Sequence, residues 1–219
     1  AALCVPPAVA AEPSIIVQST TSTANSGLYD YLLPKFKAAS GISVHVVAVG
    51  TGQAIRNAQN CDGDVLLVHA KPAEEKFVAS GYGVSRQDLM YNDFVIVGPA
   101  ADPAGVNGSG KWYRETGSGM GATLNAGVGM GAYVMTDRAT WIAFKNKGDF
   151  KIAVEGDKVM FNQYGVIPVN PAKCPNVKQA EAQKFVDWLV SKEGQEAIGS
   201  YRRMGEQLFT PNAGKENAA

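Results

Sequence analysis

"SIIVQSTTSTANSGLYDYLLPKFKAASGISVHVVAVG", residues 14–50, holds two β-rich runs with an amphipathic segment between them. Ile15, Ile16 and Val17 open the first run, and the second, "ISVHVVAVG", carries four valines. Branched apolar runs of this kind, bounded by turn residues, read as strands. Between them Leu28, Tyr31, Leu32 and Phe36 recur at helical spacing, and Gly41 stands where a C-terminal cap belongs. A third run, "DVLLVHA" (64–70), is reached through "GQAIRNAQNC", a short helical segment. Strand–helix–strand–helix–strand needs crossover connections, and crossovers give parallel strands. The stretch therefore predicts an α/β fold: a sheet flanked by helices.

Ligands of open α/β sheets bind outside the carboxyl ends of the strands. Three loops fall at such ends: Ser19–Ser26, Gly50-Thr51-Gly52 and His69-Ala70. The first gathers Ser19, Thr20, Thr21, Ser22 and Thr23 in a row. The first two loops lead straight into helices, whose first-turn N–H groups are unpaired and carry about half a positive charge. Hydroxyls and free N–H groups suit a desolvated anion. They also suit an ordinary loop in which Asn25 or Ser26 caps the next helix. A second glycine-rich turn, "GSGMGATLN" (117–125), places Gly119 and Gly121 before another helix, with Thr123 in its first turn. It has no P-loop lysine. Together the two turns suggest an anion held between two sets of backbone donors.

Further along, "KPAEEKFVASGYG" (71–83) reads as a helix and "YNDFVIVGP" (91–99) as a strand. Residues 119–148 give helix, strand, helix. "KIAVEG" and "FNQYGVIPVN" follow as strands. Two closing helices place Phe185, Trp188 and Leu189 on one face.

The chain has 219 residues with 20 basic and 20 acidic side chains, so the formal charge is zero. No basic run points to nucleic acid. No G-x-S-x-G elbow and no metal-ligand spacing is present, so neither an enzyme nor a metal site is expected. His45 and His69 read as structural. "AALCVPPAVAAEPS", with Ala8-Val9-Ala10, reads as the tail of an export signal. Cys61 and Cys174 form either one bridge or two buried thiols.

"STTSTANSGLYDYLLPKFKAASGISVHVVAVGTGQAIRNAQNCDGDVLLVHA", "EEKFVASGYGV", "MYNDFVIVGPAADPAG", "WYRETGSGMGATLNAGVGMGAYVMTDRATW" and "FNQYGVIPVNP" together resemble the periplasmic tungstate-binding proteins of ABC uptake transporters. The likeness covers nearly all of the chain after residue 13. It implies a two-lobed type II periplasmic binding protein, with mixed sheets flanked by helices. Such a protein encloses a tetrahedral oxyanion, here expected to be tungstate, and delivers it to a membrane permease. The lobes would be 13–90 with 165–213, and 91–164, after a signal remnant at 1–12 and before a tail at 214–219. The chain would cross between them near Asn92–Val95 and return near Asn162–Val166. The family's hydroxyl motif falls on Ser19, Thr20, Thr21 and Ser22. With Gly50, Thr51, Gly121, Ala122, Thr123 and Thr136 these form the expected ligand set. No cofactor is implied, and a monomer is expected unless truncation drives self-association. A molybdate, sulfate or phosphate carrier is the alternative of the same fold. A binding-incompetent or engineered relative serving as an interaction scaffold is the other.

One departure stands out. Family members carry an S-R-G-D-x-S-G-T segment between D-P-A-G and W-Y-R-E, and its arginine contacts the oxyanion. Here "DPAGVNGSGKWYRE" (102–115) passes straight through, and S-R-G-D occurs nowhere. The second lobe is expected to be truncated near 105–111.

Overall fold

The computed structural model describes residues 12–101 and 116–215. The leader-like residues 1–11, the junction at 105–111 and residues 216–219 lie outside the described residues.

The expected alternation opens the fold: β1 (Ser14–Thr20), the short helix α1 (Thr21–Asn25), α2 (Leu28–Ser40), β2 (Ser43–Val49), α3 (Thr51–Gln59), β3 (Val65–Val68) and α4 (Lys71–Ala79). Next come β4 (Gln87–Pro99), α5 (Met120–Gly129), β5 (Val134–Asp137), α6 (Arg138–Ala143), β6 (Phe150–Val154) and β7 (Phe161–Pro168). The helices α7 (Gln179–Val190) and α8 (Lys192–Ser200) and the short strands β8 (Arg202–Arg203), β9 (Glu206–Gln207) and β10 (Thr210–Pro211) close the order.

β1 pairs in parallel with both β2 and β3, as crossovers demand. β7 then runs antiparallel to β3, and β4 antiparallel to β7, so the sheet is mixed, in the order β10-β4-β7-β3-β1-β2. β4 is the long member. Gln87–Asp93 lie along β7, whereas Phe94–Pro99 pair instead with β5 and β6. One strand therefore leaves one set of partners and enters another between Asp93 and Phe94. Sequence reading started this strand at Tyr91. The four earlier residues are polar or mixed and show no alternation, and their strand conformation is set by pairing with β7.

β3 is buried on both faces, which is why it reads as an unbroken apolar run rather than an alternating one. Val65 and Leu67 enter a cluster with Leu28, Leu32, Phe36, Phe185 and Trp188, while Leu66 and Val68 meet Ala54, Ala58, Phe77 and Ile167 on the other face. Of the helical stripe expected from Leu28, Tyr31, Leu32 and Phe36, Tyr31 is half-buried and the other three are buried, and Phe36 meets Phe185 edge-on at 4.9 Å. A third cluster, Val95, Val97, Leu124, Val134, Trp141 and Phe150, forms where β4 meets β5, β6, α5 and α6. Cys61 and Cys174 are joined, with Cα atoms 5.2 Å apart, which decides between the bridge and the free thiols.

Asp64, at the start of the third run, has a structural role. Its carboxylate accepts from Ile16 N and from Lys178 N, both at 2.7 Å, tying β1 and the approach to α7 to the start of β3. Among the described residues no helix is long and apolar enough to cross a membrane, and no cluster of three or more His, Cys, Asp or Glu could hold a metal.

Candidate functional site

The hydroxyl run does not form an extended loop. β1 ends at Thr20, and Thr20 itself caps the next turn: its Oγ1 accepts from Thr23 N, and the backbone turns helical at Thr21. The N-cap expected at Asn25 or Ser26 belongs instead to Gly27, whose φ of 81° swings the chain into α2. Thr20 caps α1 rather than α2, because its side-chain oxygen reaches the N–H three residues on.

That turn sorts the hydroxyls into two groups. Ser19 is 0% exposed; its Oγ donates to Leu67 O at 2.8 Å and pairs with Tyr29 Oη at 2.5 Å. It is a strut behind the loop, and its donor is spent inside the protein. Thr20, Ser22 and Thr23 gather on the other side. Thr20 Oγ1 lies 2.7 Å from Thr23 Oγ1 and 3.2 Å from Ser22 Oγ. Thr21 alone of the run's first four is exposed.

His69 completes this group, and sequence reading had set it aside as structural. Its Nε2 stands 3.3 Å from both Thr20 Oγ1 and Ser22 Oγ. The ring lies against Tyr164, centroids 4.7 Å apart. Burial holds the imidazole below the usual histidine value; the Asp137 charge, Asn162 and the ring's own carbonyl pull the other way. Below it, Asn162 Nδ2 donates to Asn92 Oδ1 at 2.7 Å, joining the strands β7 and β4 where β4 changes partners. The Asn92 amide nitrogen and the Tyr164 hydroxyl are buried without a hydrogen-bond partner of good geometry. Burial drives the Tyr164 phenol well above the ordinary tyrosine range. The signal for His69 was present in the sequence: it is the first residue past the carboxyl end of β3, where the fold rule puts ligands.

Asp137 is 1% exposed, yet its carboxylate is bound at the start of α6 by Thr140 N at 2.8 Å and Thr140 Oγ1 at 2.6 Å. Arg138 is spoken for by Asp93 and Glu155. Among the described residues, no hydrogen bond around Thr20, Ser22, Thr23 and His69 comes from lysine or arginine.

The other expected donors are brought near to different degrees. Thr20 pairs with Val49 across β1 and β2, so Gly50 and Thr51 continue beside Thr21, and no side chain caps α3. No side chain caps α5 either. Its N-cap, Gly119, faces the hydroxyl turn so closely that a methyl carbon there would stand 3.2 Å from Thr21 Oγ1. That places the first turn of α5, with Gly121 and Ala122, toward α1. Thr123 Oγ1 is engaged within its own turn, 2.6 Å from Thr116 Oγ1. Thr136 is 0% exposed, and its hydroxyl donates to Asp137 O at 3.3 Å. A cavity of about 450 Å³, lined by His69, Lys71, Asp88, Phe94, Asn162 and Lys215 among others, adjoins the cluster.

Comparison with known proteins matches the model of the PBP superfamily domain over residues 7–110 and 105–193. The tungstate-binding protein TupA of Peptoclostridium acidaminophilum is 41% identical over 251 residues, covering 94% of this chain and 88% of that protein. Those 251 aligned positions outnumber the 219 residues here, so the relative carries residues without a counterpart in this chain. TupA of Campylobacter jejuni is 32% identical, with 88% of each chain covered. Among solved structures, the tungstate-binding protein TupA of Desulfovibrio alaskensis G20 superposes with a TM-score of 0.80 at 44% identity, covering 92% of this chain and 99% of its own. The tungstate ABC transporter structure from Geobacter sulfurreducens gives 0.78 at 39% identity, covering 86% and 98%.

Proposed function

The chain belongs to the PBP superfamily and, within it, to the family of the tungstate-binding proteins TupA, and from that premise we propose that it captures tungstate in the cleft floored by Thr20, Ser22 and His69 and delivers it to an ABC permease. The observation that carries this reading is the hydroxyl turn facing the uncapped N-terminus of α5 across the Thr21–Gly119 approach. Two sets of neutral donors, one on each side of a gap, are what a dianion needs when it leaves water. Removing its hydration costs several kcal/mol per charge unless hydrogen bonds replace the shell. Neutral donors at fixed positions also select by geometry rather than by charge.

The ligand set is Thr20, Thr21, Ser22, Gly50, Thr51, Gly121 and Ala122. Thr123 and Thr136 act through the turns they hold. Residues 13–90 with 165–213 and residues 91–164 are the two lobes, and β4 and β7 are the strands that hinge between them. Closure would press the α5 turn onto the hydroxyl turn, which is how one anion can bias the position of two lobes. The protein binds rather than converts its ligand, works in the periplasm, and has a membrane permease as its partner. No S-R-G-D segment stands in the 219 residues.

Calorimetric titration with tungstate, molybdate, sulfate and phosphate tests the reading. Tungstate should bind with sulfate and phosphate at most weak competitors. Sulfate binding as tightly as tungstate would return the protein to a general oxyanion carrier, and no binding of any of the four would leave only a scaffold.

A further inference from the structure

Two of the hydroxyls that must donate to an anion stand within hydrogen-bond reach of a histidine. Each has one proton. Thr20 Oγ1 and Ser22 Oγ both stand 3.3 Å from His69 Nε2. A neutral imidazole carries one proton, and in the tautomer that holds it on Nδ1 the Nε2 atom is an acceptor. A Thr20 or Ser22 hydroxyl then points its proton at the histidine and its lone pairs at the cleft. That polarity is wrong for an oxyanion.

We propose that His69 is the positioning residue of the site and that each bound oxyanion takes up one proton at His69 Nε2. The step balances simply. A solvent proton adds to Nε2, the new N–H donates to the Thr20 and Ser22 oxygens, and each hydroxyl proton swings to an oxygen of the anion. The dianion thereby gains an imidazolium about one hydroxyl away, in a place where no lysine or arginine is hydrogen-bonded to the cluster among the described residues. This inference rests on the oxyanion-binding reading above and deepens it.

The surroundings permit both states. From β1 and α1 the ring meets only hydroxyls, Thr20 and Ser22. From β7 it meets the Tyr164 phenol and the Asn162 amide, neither charged near neutral pH. From the start of α6 comes the Asp137 carboxylate, which favours an imidazolium. Lys71, Asp88 and Lys215 share the adjoining cavity, two positive charges against one negative. Burial outweighs the Asp137 attraction and holds the ring below the usual histidine value. A dianion beside the hydroxyls adds two charges of the sign that reverses the balance.

The test is tungstate titration of the intact chain at several pH values, in paired buffers of different ionisation heat. Proton uptake linked to binding makes affinity rise by up to about tenfold per pH unit of acidification, between the bound and free values of the ring. The expected result is about 0.5–1 proton taken up per tungstate near pH 6.5. His69→Gln should bind more weakly at pH 6, show a flat profile and take up none; any slope that survives belongs to the anion itself. The chain has two histidines in all, so ring NMR signals of the unmutated protein give a second reading should the variant misfold. The His69 signal should move to the imidazolium position on saturation while His45 stays. Tungstate binding without proton uptake, equal uptake in His69→Gln, or a ring that stays neutral when saturated each overturns the inference while leaving the function intact. Failure to bind tungstate at any pH overturns the function and this inference with it.

Discussion

Ser19 and Ser22 stand three residues apart in one hydroxyl run, and the structure gives them opposite duties that a pair of alanine substitutions can separate. Ser19→Ala removes the donor to Leu67 O and the partner of Tyr29 Oη, both inside a site with 0% exposure of Ser19 and 6% of Tyr29. A buried polar group left unsatisfied costs about 1–3 kcal/mol. Two such groups at the lower half of that range give a loss of about 2–4 kcal/mol. At about 2–4 °C per kcal/mol for a chain of this size, the thermal midpoint should fall by about 4–16 °C. Tungstate affinity should stay within about twofold, because no Ser19 atom faces the cleft. Ser22→Ala removes a hydroxyl whose hydrogen-bond contacts among the described residues are Thr20 and His69. Its fold cost should be under about 1 kcal/mol. Its lost bond to a charged ligand should weaken binding by about 1.5–3 kcal/mol, roughly tenfold to 150-fold. Differential scanning and calorimetric titration on both variants give four numbers. If Ser19→Ala loses affinity at unchanged midpoint, or Ser22→Ala loses stability at unchanged affinity, the division of the run is wrong.

Reduction of the Cys61–Cys174 bridge, which spans 113 residues, should lower stability by about 4–5 kcal/mol on the chain-entropy account, read as a drop in the urea midpoint with reductant present. Gly165→Ala should cost about 1–3 kcal/mol or more, since a methyl there would fall on the Glu74 carboxylate and stand 2.9 Å from Arg86 Nε, inside a buried ion pair that has no room to part; a midpoint within 1 °C of the parent would show that the pair shifts freely. The unliganded protein should lose stability on acidification. His69 holds fewer protons folded than unfolded because burial lowers its value, so stability is full above about pH 6.5 and declines as pH falls toward the folded value. His69→Gln should flatten that part of the curve, and an unchanged slope would place the acid sensitivity elsewhere.

Periodicity could show the elements whose partners are near in sequence, and it did so for β1, α2, β2, α3 and β3. Their apolar spacing and capping glycines are local facts. The mixed character of the sheet was not local: nothing in "FNQYGVIPVN" says that Phe161–Pro168 runs antiparallel to both β3 and β4. The short strands β8, β9 and β10 were missed for the same reason, since two residues hold no period. At the site, the strand-end rule located the loops. It could not tell Ser19 from Ser22, because Ser19 is still in β1, where it faces Tyr29, while Ser22 lies in the helical turn that begins at Thr21 and meets His69. His69 shows the limit from the other side. A lone histidine after a strand has no motif, and its role comes from the 3.3 Å approach to residues 47 and 49 positions away.

How the site meets a dianion's charge follows from where the arginines are used. Arg86 is held by Glu74 and Asp88, Arg138 by Asp93 and Glu155, and Arg203 by the carbonyls of Asn25 and Ser26. These three are committed to structure, whereas exposed Arg56 on α3, beside Gly52, donates to Gln53 Oε1 and pairs with no carboxylate among the described residues. Arg138 and Asp93 clamp β4 to the start of α6 where β4 changes partners, and Arg203 closes the carboxyl end of α1, so both hold the two sides of the gap in place. Moving any of the three to the anion would uncover an acidic group or a row of carbonyls, at a cost comparable to the gain. Hydroxyls, helix N–H groups and one titratable ring carry no such debt, since none has a counter-charge to abandon. A site made of these donors can release its anion when the two sides part, because water can replace every one of the bonds it loses. A carrier that must hand its ligand on needs that reversibility as much as it needs affinity.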